Sequence, residues 1–238
     1  AQLVSTGVPA ALQVAADRGW TITVQYRDPE ADNAYYNKYA ECETVADVQA
    51  VNADYKSDVT ADGEWFYRLP LLTDAYEMFR YSPKGVMDVF HCSLPMVTNV
   101  QRMFKCSWVK EIICDMPLLE KNTNEFFGDY TNFWRFKGAL SSLQNGFSMF
   151  WNAVSMTTFE SDLPALTSGV YMFDRTKLNK ESVLRILGSI PTYTSGSHSL
   201  TIGIHVDHQT DEEVTTAIAA AEAKGWTLTV QWNGTATA

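Results

Sequence analysis

The residues best suited to hold a metal ion lie in the stretch HSLTIGIHVDHQ at 198–209, where His205, Asp207 and His208 offer imidazole and carboxylate ligands. On an extended strand, residues 205 and 207 share a face and residue 208 lies on the other, so convergence requires a bend after Asp207. A polar strand end that leads into a helix accounts for the same residues. We therefore predict no bound metal and no cofactor.

Nucleophilic catalysis has even less support in the sequence. The chain contains no Gly-x-Ser-x-Gly elbow and no glycine loop of the kind that cradles phosphate. Cys92 follows His91 directly, which on a strand places the two side chains on opposite faces. We predict that the chain is not an enzyme. A metal-dependent hydrolase at 198–208 is the least favoured alternative.

The elements that would position functional residues come from a repeat of about 23 residues. Pairs of large apolar residues recur at intervals of 25, 23, 23 and 23 residues, namely Met78-Phe79, Met103-Phe104, Phe126-Phe127, Met149-Phe150 and Met172-Phe173. A Leu-Pro dipeptide or a relative of it precedes most pairs by nine residues, and a turn of the form Leu-Thr-x-Gly lies between. A unit this small cannot bury its apolar side alone, so neighbouring units must stack.

A short apolar-x-x-apolar element recurs between these units, followed by a small residue two positions later. The small residues are Cys92, Cys114, Gly138 and Ser161. The pattern predicts parallel strands near 87–92, 109–114, 133–138 and 156–161, with one buried column formed by Phe90, Ile112, Phe136 and Phe159. Adjacent strands lie about 4.8 Å apart, so Cys92 and Cys114 could form a disulfide, but two small buried thiols are the simpler interpretation.

The unit LP-x-LT-x-G-x-x-MF-x-x-C-x-x-L-x-x-F resembles the leucine-rich repeat class of BspA-type bacterial surface antigens and related phage tail and gut-bacterial proteins. The resemblance covers roughly residues 64–206. The third unit departs most, with Phe126-Phe127 for Met-Phe and Asn122 where Gly is preferred. The resemblance implies an α/β repeat solenoid with a parallel β ladder, and it implies a fold more firmly than a function.

A solenoid would align the outward-pointing strand residues, and we call this set the sheet face: Asp88, Val89, His91, Lys110, Glu111, Ile113, Trp134, Arg135, Lys137, Thr157, Thr158 and Glu160. An exposed Trp beside an Arg is typical of interface hot spots and also suits stacking on a sugar ring. We therefore predict ligand binding around Trp134, Arg135 and Lys137, with His91 and Lys110 nearby. Burial of Trp134 against another segment is the alternative.

The end of the chain predicts a strand-helix-strand cap over residues 201–238. The stretch 201–206 alternates as a strand, Thr210 and Glu213 form a predicted capping box, and a helix is expected over 211–224. Gly225 is a natural helix stop, and 226–232 alternates as a second strand.

The sequence 11–26 matches 217–232 at an offset of 206 residues. We therefore interpret residues 1–26 as the closing helix-strand unit of a preceding array. Residues 27–63 are then a connector with one short helix near 44–50, and residues 64–200 are the leucine-rich repeat array. A chain with several such arrays follows from this interpretation.

Composition limits the partners. The chain of 238 residues has a formal net charge of −10 and no run of Lys and Arg, which opposes binding to nucleic acid. No apolar stretch reaches the ~18 residues that span a bilayer, so membrane insertion is not expected. The favoured prediction is a binding or adhesion module of an extracellular, cell-surface or virion protein with a protein or glycan partner. The alternative is an architectural segment of a phage tail or fibre that associates with copies of itself.

Overall fold

The computed structural model describes residues 37–128 and 132–235, so the predicted helix-strand unit at 1–26 lies outside the described residues. The helices and strands in chain order are α1 (Val45–Val51), β1 (Glu64–Arg68), β2 (Val89–Ser93), β3 (Glu111–Asp115), β4 (Arg135–Lys137), β5 (Thr158–Glu160), β6 (Gly169–Leu178), α2 (Lys180–Ser189), β7 (His198–His205), α3 (Glu212–Ala223) and β8 (Trp226–Asn233). Short 3-10 turns occupy Tyr55–Ser57 and Val206–His208. The fold is α/β with two parallel sheets.

The larger sheet has the order β1-β2-β3-β4-β5, with every neighbouring pair parallel. Its register places Phe90, Ile112, Phe136 and Phe159 opposite one another, and all four side chains are fully buried. The predicted column is therefore confirmed. Trp65 of β1, a strand that the repeat pattern did not predict, extends the same column by one residue.

The strands begin about two residues later than predicted, because the chain bends into each of them. The backbone N–H groups of Asp88 and Val89 both donate to the carbonyl of Gly63, at 2.8 and 3.3 Å. The same sharing recurs at the carbonyl of Trp134, which accepts from both Thr157 and Thr158 at 3.0 Å. A carbonyl that receives two successive amides marks a bend, and the regular ladder starts only after it.

The segments around the Met-Phe pairs also bond from unit to unit. The Phe79 N–H donates to the Met103 carbonyl at 2.8 Å, and the Phe104 N–H donates to the Phe126 carbonyl at 3.0 Å. The residue before each pair adopts a left-handed conformation, with φ between 51 and 56° at Glu77, Arg102, Glu125, Ser148 and Tyr171. Asn122 also adopts a positive φ of 65°, whereas Gly146 and Gly169 at the equivalent position of later units do not.

Aromatic rings of the buried strand column contact the rings of the Phe residues in the Met-Phe pairs. Phe79 stacks on Phe104, and Phe104 stacks on Phe127, each with ring centroids 5.4 Å apart. Phe90 meets both Phe79 and Phe104 edge to face, at 5.1 and 4.9 Å. Offset-stacked and edge-to-face pairs are the favoured ring geometries, so this interior gains pairwise energy beyond its buried area.

Residues 37–59 pack on the β1 end of the large sheet. The ring of Tyr39 stacks on Trp65 at 5.8 Å, and the Trp65 indole N–H donates to the Tyr55 carbonyl at 2.9 Å. The helix predicted near 44–50 is confirmed as α1, and Thr44 caps its N-terminus through a capping box with Asp47. This segment thus adds buried aromatic residues to the core.

Helix α2, for which the repeat pattern predicts no element, closes the β5 edge of the large sheet. The Ser182 hydroxyl accepts a hydrogen bond from the Phe159 N–H at 2.8 Å, and the Ser189 hydroxyl accepts one from the Leu163 N–H at 3.0 Å. Asn179 caps the helix by accepting from the Ser182 N–H. A helix that covers an edge strand and accepts a hydrogen bond from one of its amides hinders further strands from adding there.

The second sheet has the order β6-β7-β8, all parallel, and contains the predicted strand-helix-strand order as β7, α3 and β8. One detail of the prediction is wrong. Asp211, not Thr210, caps α3, because its carboxylate accepts from the Glu213 and Val214 N–H groups. Gly225 follows the helix with a φ of 91°, as expected for a helix stop.

Candidate binding face

The strands of the large sheet present two rows of outward-pointing side chains, which are set by the strand register. The first row runs Glu64, Val89, Glu111, Arg135 and Thr158, and the second runs Phe66, His91, Ile113, Lys137 and Glu160. The register therefore brings eight of the twelve predicted outward-facing residues into these rows, and the other four, Asp88, Lys110, Trp134 and Thr157, each lie one residue before a strand. Glu64 and Phe66 were missed because β1 was not predicted, although the alternation in EWFYR is a strand signal.

Trp134 stands on the surface at the point where the chain bends into β4. The residue is 38% exposed, and its backbone N–H donates to the Lys110 carbonyl at 2.9 Å. The backbone of Trp134 is thus bonded to the units on both sides while the indole remains open. Arg135 lies with its guanidinium carbon 5.9 Å from the indole centroid, within the range of a cation–π contact.

Arg135 is neutralised by two carboxylates of the same face, which differs from the basic patch that the sequence suggested. Its guanidinium lies 2.9 Å from Glu160 and 3.2 Å from Glu111, on the strands to either side. The hydrogen bond with Glu160, followed by the one with Glu111, raises the pKa of Arg135 above its ordinary value. Arg135 therefore cross-links three strands, and its charge is already matched within the fold.

Of the other predicted cationic residues, two lie beside a carboxylate and one does not. Lys110 forms an ion pair with Asp88 at 2.8 Å, and the His91 ring nitrogen Nδ1 lies 3.1 Å from a Glu64 carboxylate oxygen. Within the described residues, Lys137 forms no ion pair and is exposed. The face thus combines internally paired charges, one unpaired lysine and one exposed indole.

An open depression of about 230 Å³ includes part of this face and lies over the C-terminal ends of β1, β2 and β3. Its outer lining includes Phe66, Arg68, His91, Ser93 and Asp115. The His91 ring meets Phe66 edge to face at 4.4 Å, which gives the depression an aromatic wall. Both apolar and hydrogen-bonding groups of a partner could be accommodated there.

Of the candidate metal ligands, His205 is the last residue of β7, and Asp207 and His208 lie on the 3-10 turn that follows it. The chain turns directly after His205, two residues earlier than the bend that convergence was expected to require, and the His205 Nδ1 atom lies 3.4 Å from an Asp207 carboxylate oxygen. The rings of His205 and His208 are 6.3 Å apart by centroid. In residues 37–128 and 132–235, no three His, Cys, Asp or Glu side chains are grouped so as to hold a metal ion.

The cysteines of the described chain are all free thiols, in agreement with the simpler interpretation of their spacing. Cys92 and Cys114 are buried, and burial raises the pKa of both thiols well above the ordinary value. A thiol held protonated in this way is a poor nucleophile.

No protein-family model, curated protein or solved structure matches the chain. Across the described part of the chain, no helix is long and apolar enough to cross a membrane.

Proposed function

We propose that the chain is a leucine-rich-repeat-like solenoid of the BspA type that serves as a non-enzymatic binding or adhesion module. Its partner is a protein or glycan held on the sheet face, and the host is a secreted, cell-surface or virion protein. Support for the solenoid comes from the repeated register, in which both the strands and the Met-Phe segments bond from one unit to the next. Such stacked units commonly present an extended surface for binding.

The exposed indole of Trp134 is the single observation that carries the proposed site. A large apolar ring that is 38% exposed gains much of its remaining burial when a partner covers it. The indole is also rigid, so little side-chain entropy is lost on binding.

The charges around Trp134 favour recognition by shape and stacking over simple electrostatic attraction. Arg135 is held between Glu111 and Glu160, so the face has no strong field of one sign near the indole. A neutral surface with a central aromatic residue and a rim of paired charges fits an apolar protein segment or the face of a sugar ring.

The test uses two defined probes on the full chain, an immobilised glycan array and a phage-displayed random peptide library. Ligands selected by the unmodified protein are measured again with Trp134→Ala and with Tyr81→Ala. Tyr81 is a matched control because it is also an exposed aromatic residue, at 64%, but lies in a Met-Phe segment and not on the sheet. We expect Trp134→Ala to weaken binding more than tenfold and Tyr81→Ala to leave it unchanged.

Equal binding by the unmodified protein and Trp134→Ala would refute the sheet-face site. A selective loss in Tyr81→Ala would instead assign binding to the Met-Phe segments. Melting temperatures of both variants are measured alongside, so that a loss of binding is not confused with a loss of structure.

A further inference from the structure

The outer edge of β8 is open in the described part of the chain. β8 pairs with β7 along its whole length, from His198 opposite Trp226 to His205 opposite Asn233, and no described strand or helix bonds to its other side. At the opposite edge of this sheet, β6 and the residues leading into it receive hydrogen bonds from the preceding unit, for example from the Phe150 N–H to the Met172 carbonyl at 2.9 Å. The second sheet therefore has one closed edge and one open edge.

β8 also lacks the features that normally protect an open edge. Its sequence WTLTVQWN contains no charged residue, no Pro and no Gly, and its register with β7 is unbroken over eight residues, without a bulge. Natural edge strands are usually shortened, charged, bulged or covered because an unprotected edge pairs with other strands. The large sheet of this chain follows that rule, since α2 closes its β5 edge.

The side chains of β8 alternate between an apolar face that packs on the core and a face that is exposed to solvent. Leu228, Val230 and Trp232 pack on the core but remain partly exposed, and the intervening Thr227 and Thr229 are exposed. An antiparallel copy of the same strand would place apolar residues beside apolar residues on one face and threonines beside threonines on the other. Because the strand is uncharged, pairing with itself brings no like charges together.

From this edge we infer that a second copy of the chain pairs with the first through β8, antiparallel and related by a two-fold axis. The self-complementary alternation favours this occupant over an unrelated strand, because both partners then bring the same open edge and the contact closes after two copies. The interface is separate from the sheet face around Trp134, so the proposal does not depend on the proposed binding function.

The first measurement is the mass of the full chain by size-exclusion chromatography with light scattering, at concentrations from about 1 to 100 µM. We expect twice the monomer mass of 26.7 kDa at the upper concentrations. Thr229→Lys places two lysines close together across the two-fold axis and is expected to return the mass to that of a monomer. Ser93→Lys makes the same charge change at an exposed position on β2, inside the large sheet, and should leave the dimer intact.

Hydrogen exchange of the unmodified chain provides a second measurement that needs no variant. Protection of amides in 226–233 should rise with protein concentration if β8 pairs between copies. A monomeric mass at 100 µM would overturn the proposal, as would a dimer that Thr229→Lys leaves intact in a folded state. Protection of 226–233 that is independent of concentration would also overturn it, because another segment of the same chain would then occupy the edge.

Discussion

Cys92 and Cys114 lie directly opposite each other on adjacent parallel strands, and both are free thiols. Only 6% and 2% of these residues is exposed. In the neighbouring units Gly138 and Ser161 take the corresponding places in the repeat. Tyr67 occupies the equivalent position on β1, so the position holds small side chains only from β2 onward, and the cysteines serve there as packing groups.

Native-state thiol labelling should distinguish these cysteines from Cys106. Cys106 is half-buried, whereas Cys42, Cys92 and Cys114 are buried. We expect a maleimide or an aromatic disulfide reagent to modify Cys106 at least tenfold faster than the other three, and all four to react after denaturation. Peptide mass spectrometry of the labelled protein measures the rates. Fast labelling of Cys92 or Cys114 in the folded protein would contradict the packed column.

Phe136→Ala should lower the free energy of unfolding by about 3–5 kcal/mol, because it removes a fully buried ring from the middle of the strand column. Phe136 contacts Phe159 in a stacked pair and Phe150 edge to face, so the cavity borders two aromatic neighbours. Urea denaturation gives the value. Lys137→Ala, at the next residue but exposed, is the control and should change stability by less than about 0.5 kcal/mol. A loss below about 1 kcal/mol for Phe136→Ala would show that the ring is not in a packed core.

Two glycine substitutions should have opposite effects. A Cβ atom at Gly138 would lie 1.8 Å from the Cys114 carbonyl oxygen, so Gly138→Ala forces the backbone of two units apart and should destabilise the protein by several kcal/mol. Gly188, exposed near the end of α2, has open space where a methyl group would lie, with no heavy atom within 4 Å apart from its chain neighbours and the nearby backbone of its own helix. Gly188→Ala should therefore stabilise the helix by about 0.5–1 kcal/mol. Thermal unfolding of both variants checks the signs, and a neutral Gly138→Ala would refute the close approach.

Acid should weaken the fold partly through Glu160. The hydrogen bond from Arg135 lowers the pKa of Glu160 in the folded protein below its ordinary value of about 4.3. The pair therefore contributes stability above that ordinary pKa, and the contribution is lost as the pH falls through the lower folded value. We expect the unfolding free energy of Glu160→Gln to fall less steeply below pH 5 than that of the unmodified protein.

The control for this acid effect is Glu181→Gln on α2, since Glu181 forms no ion pair among the described residues. Urea titrations at pH 7, 5, 4 and 3 should give this control the same pH dependence as the unmodified protein. Identical slopes for Glu160→Gln and the unmodified protein would mean that the Arg135 pair contributes nothing in solution.

Repetition made much of the fold predictable. Four strands and their buried column were predicted from apolar positions that recur at about 23 residues. Each repeat places the same type of residue in the same environment, so every further copy supports the same assignment. Helix α2 occurs once and was missed, although Asn179 as a cap and buried Val183, Ile186 and Leu187 at helical spacing are a usable signal.

The site was less predictable than the fold. Alternation indicated that Arg135, Glu111 and Glu160 point outward, but their ion pairs depend on which strands are neighbours and in what register. A side chain such as Arg135 looks like an available cation in the sequence and proves to be a structural link once its neighbours are known. Trp134 lies one residue before β4 and not within the strand as predicted, and its side chain is 38% exposed.

Backbone hydrogen bonds join each unit to the next, as described for β2, β3 and β4. The length of the array therefore depends on how many units it contains. Neighbouring units present equivalent carbonyls and amides to each other, whereas α2 and residues 37–59 pack only on the ends. In-frame duplication of one unit would add one strand to the large sheet. The two end segments, α2 and residues 37–59, would then lie about 4.8 Å further apart along the sheet. The separation of α2 from residues 37–59 would therefore change in steps of one strand, while these two segments themselves remain unchanged.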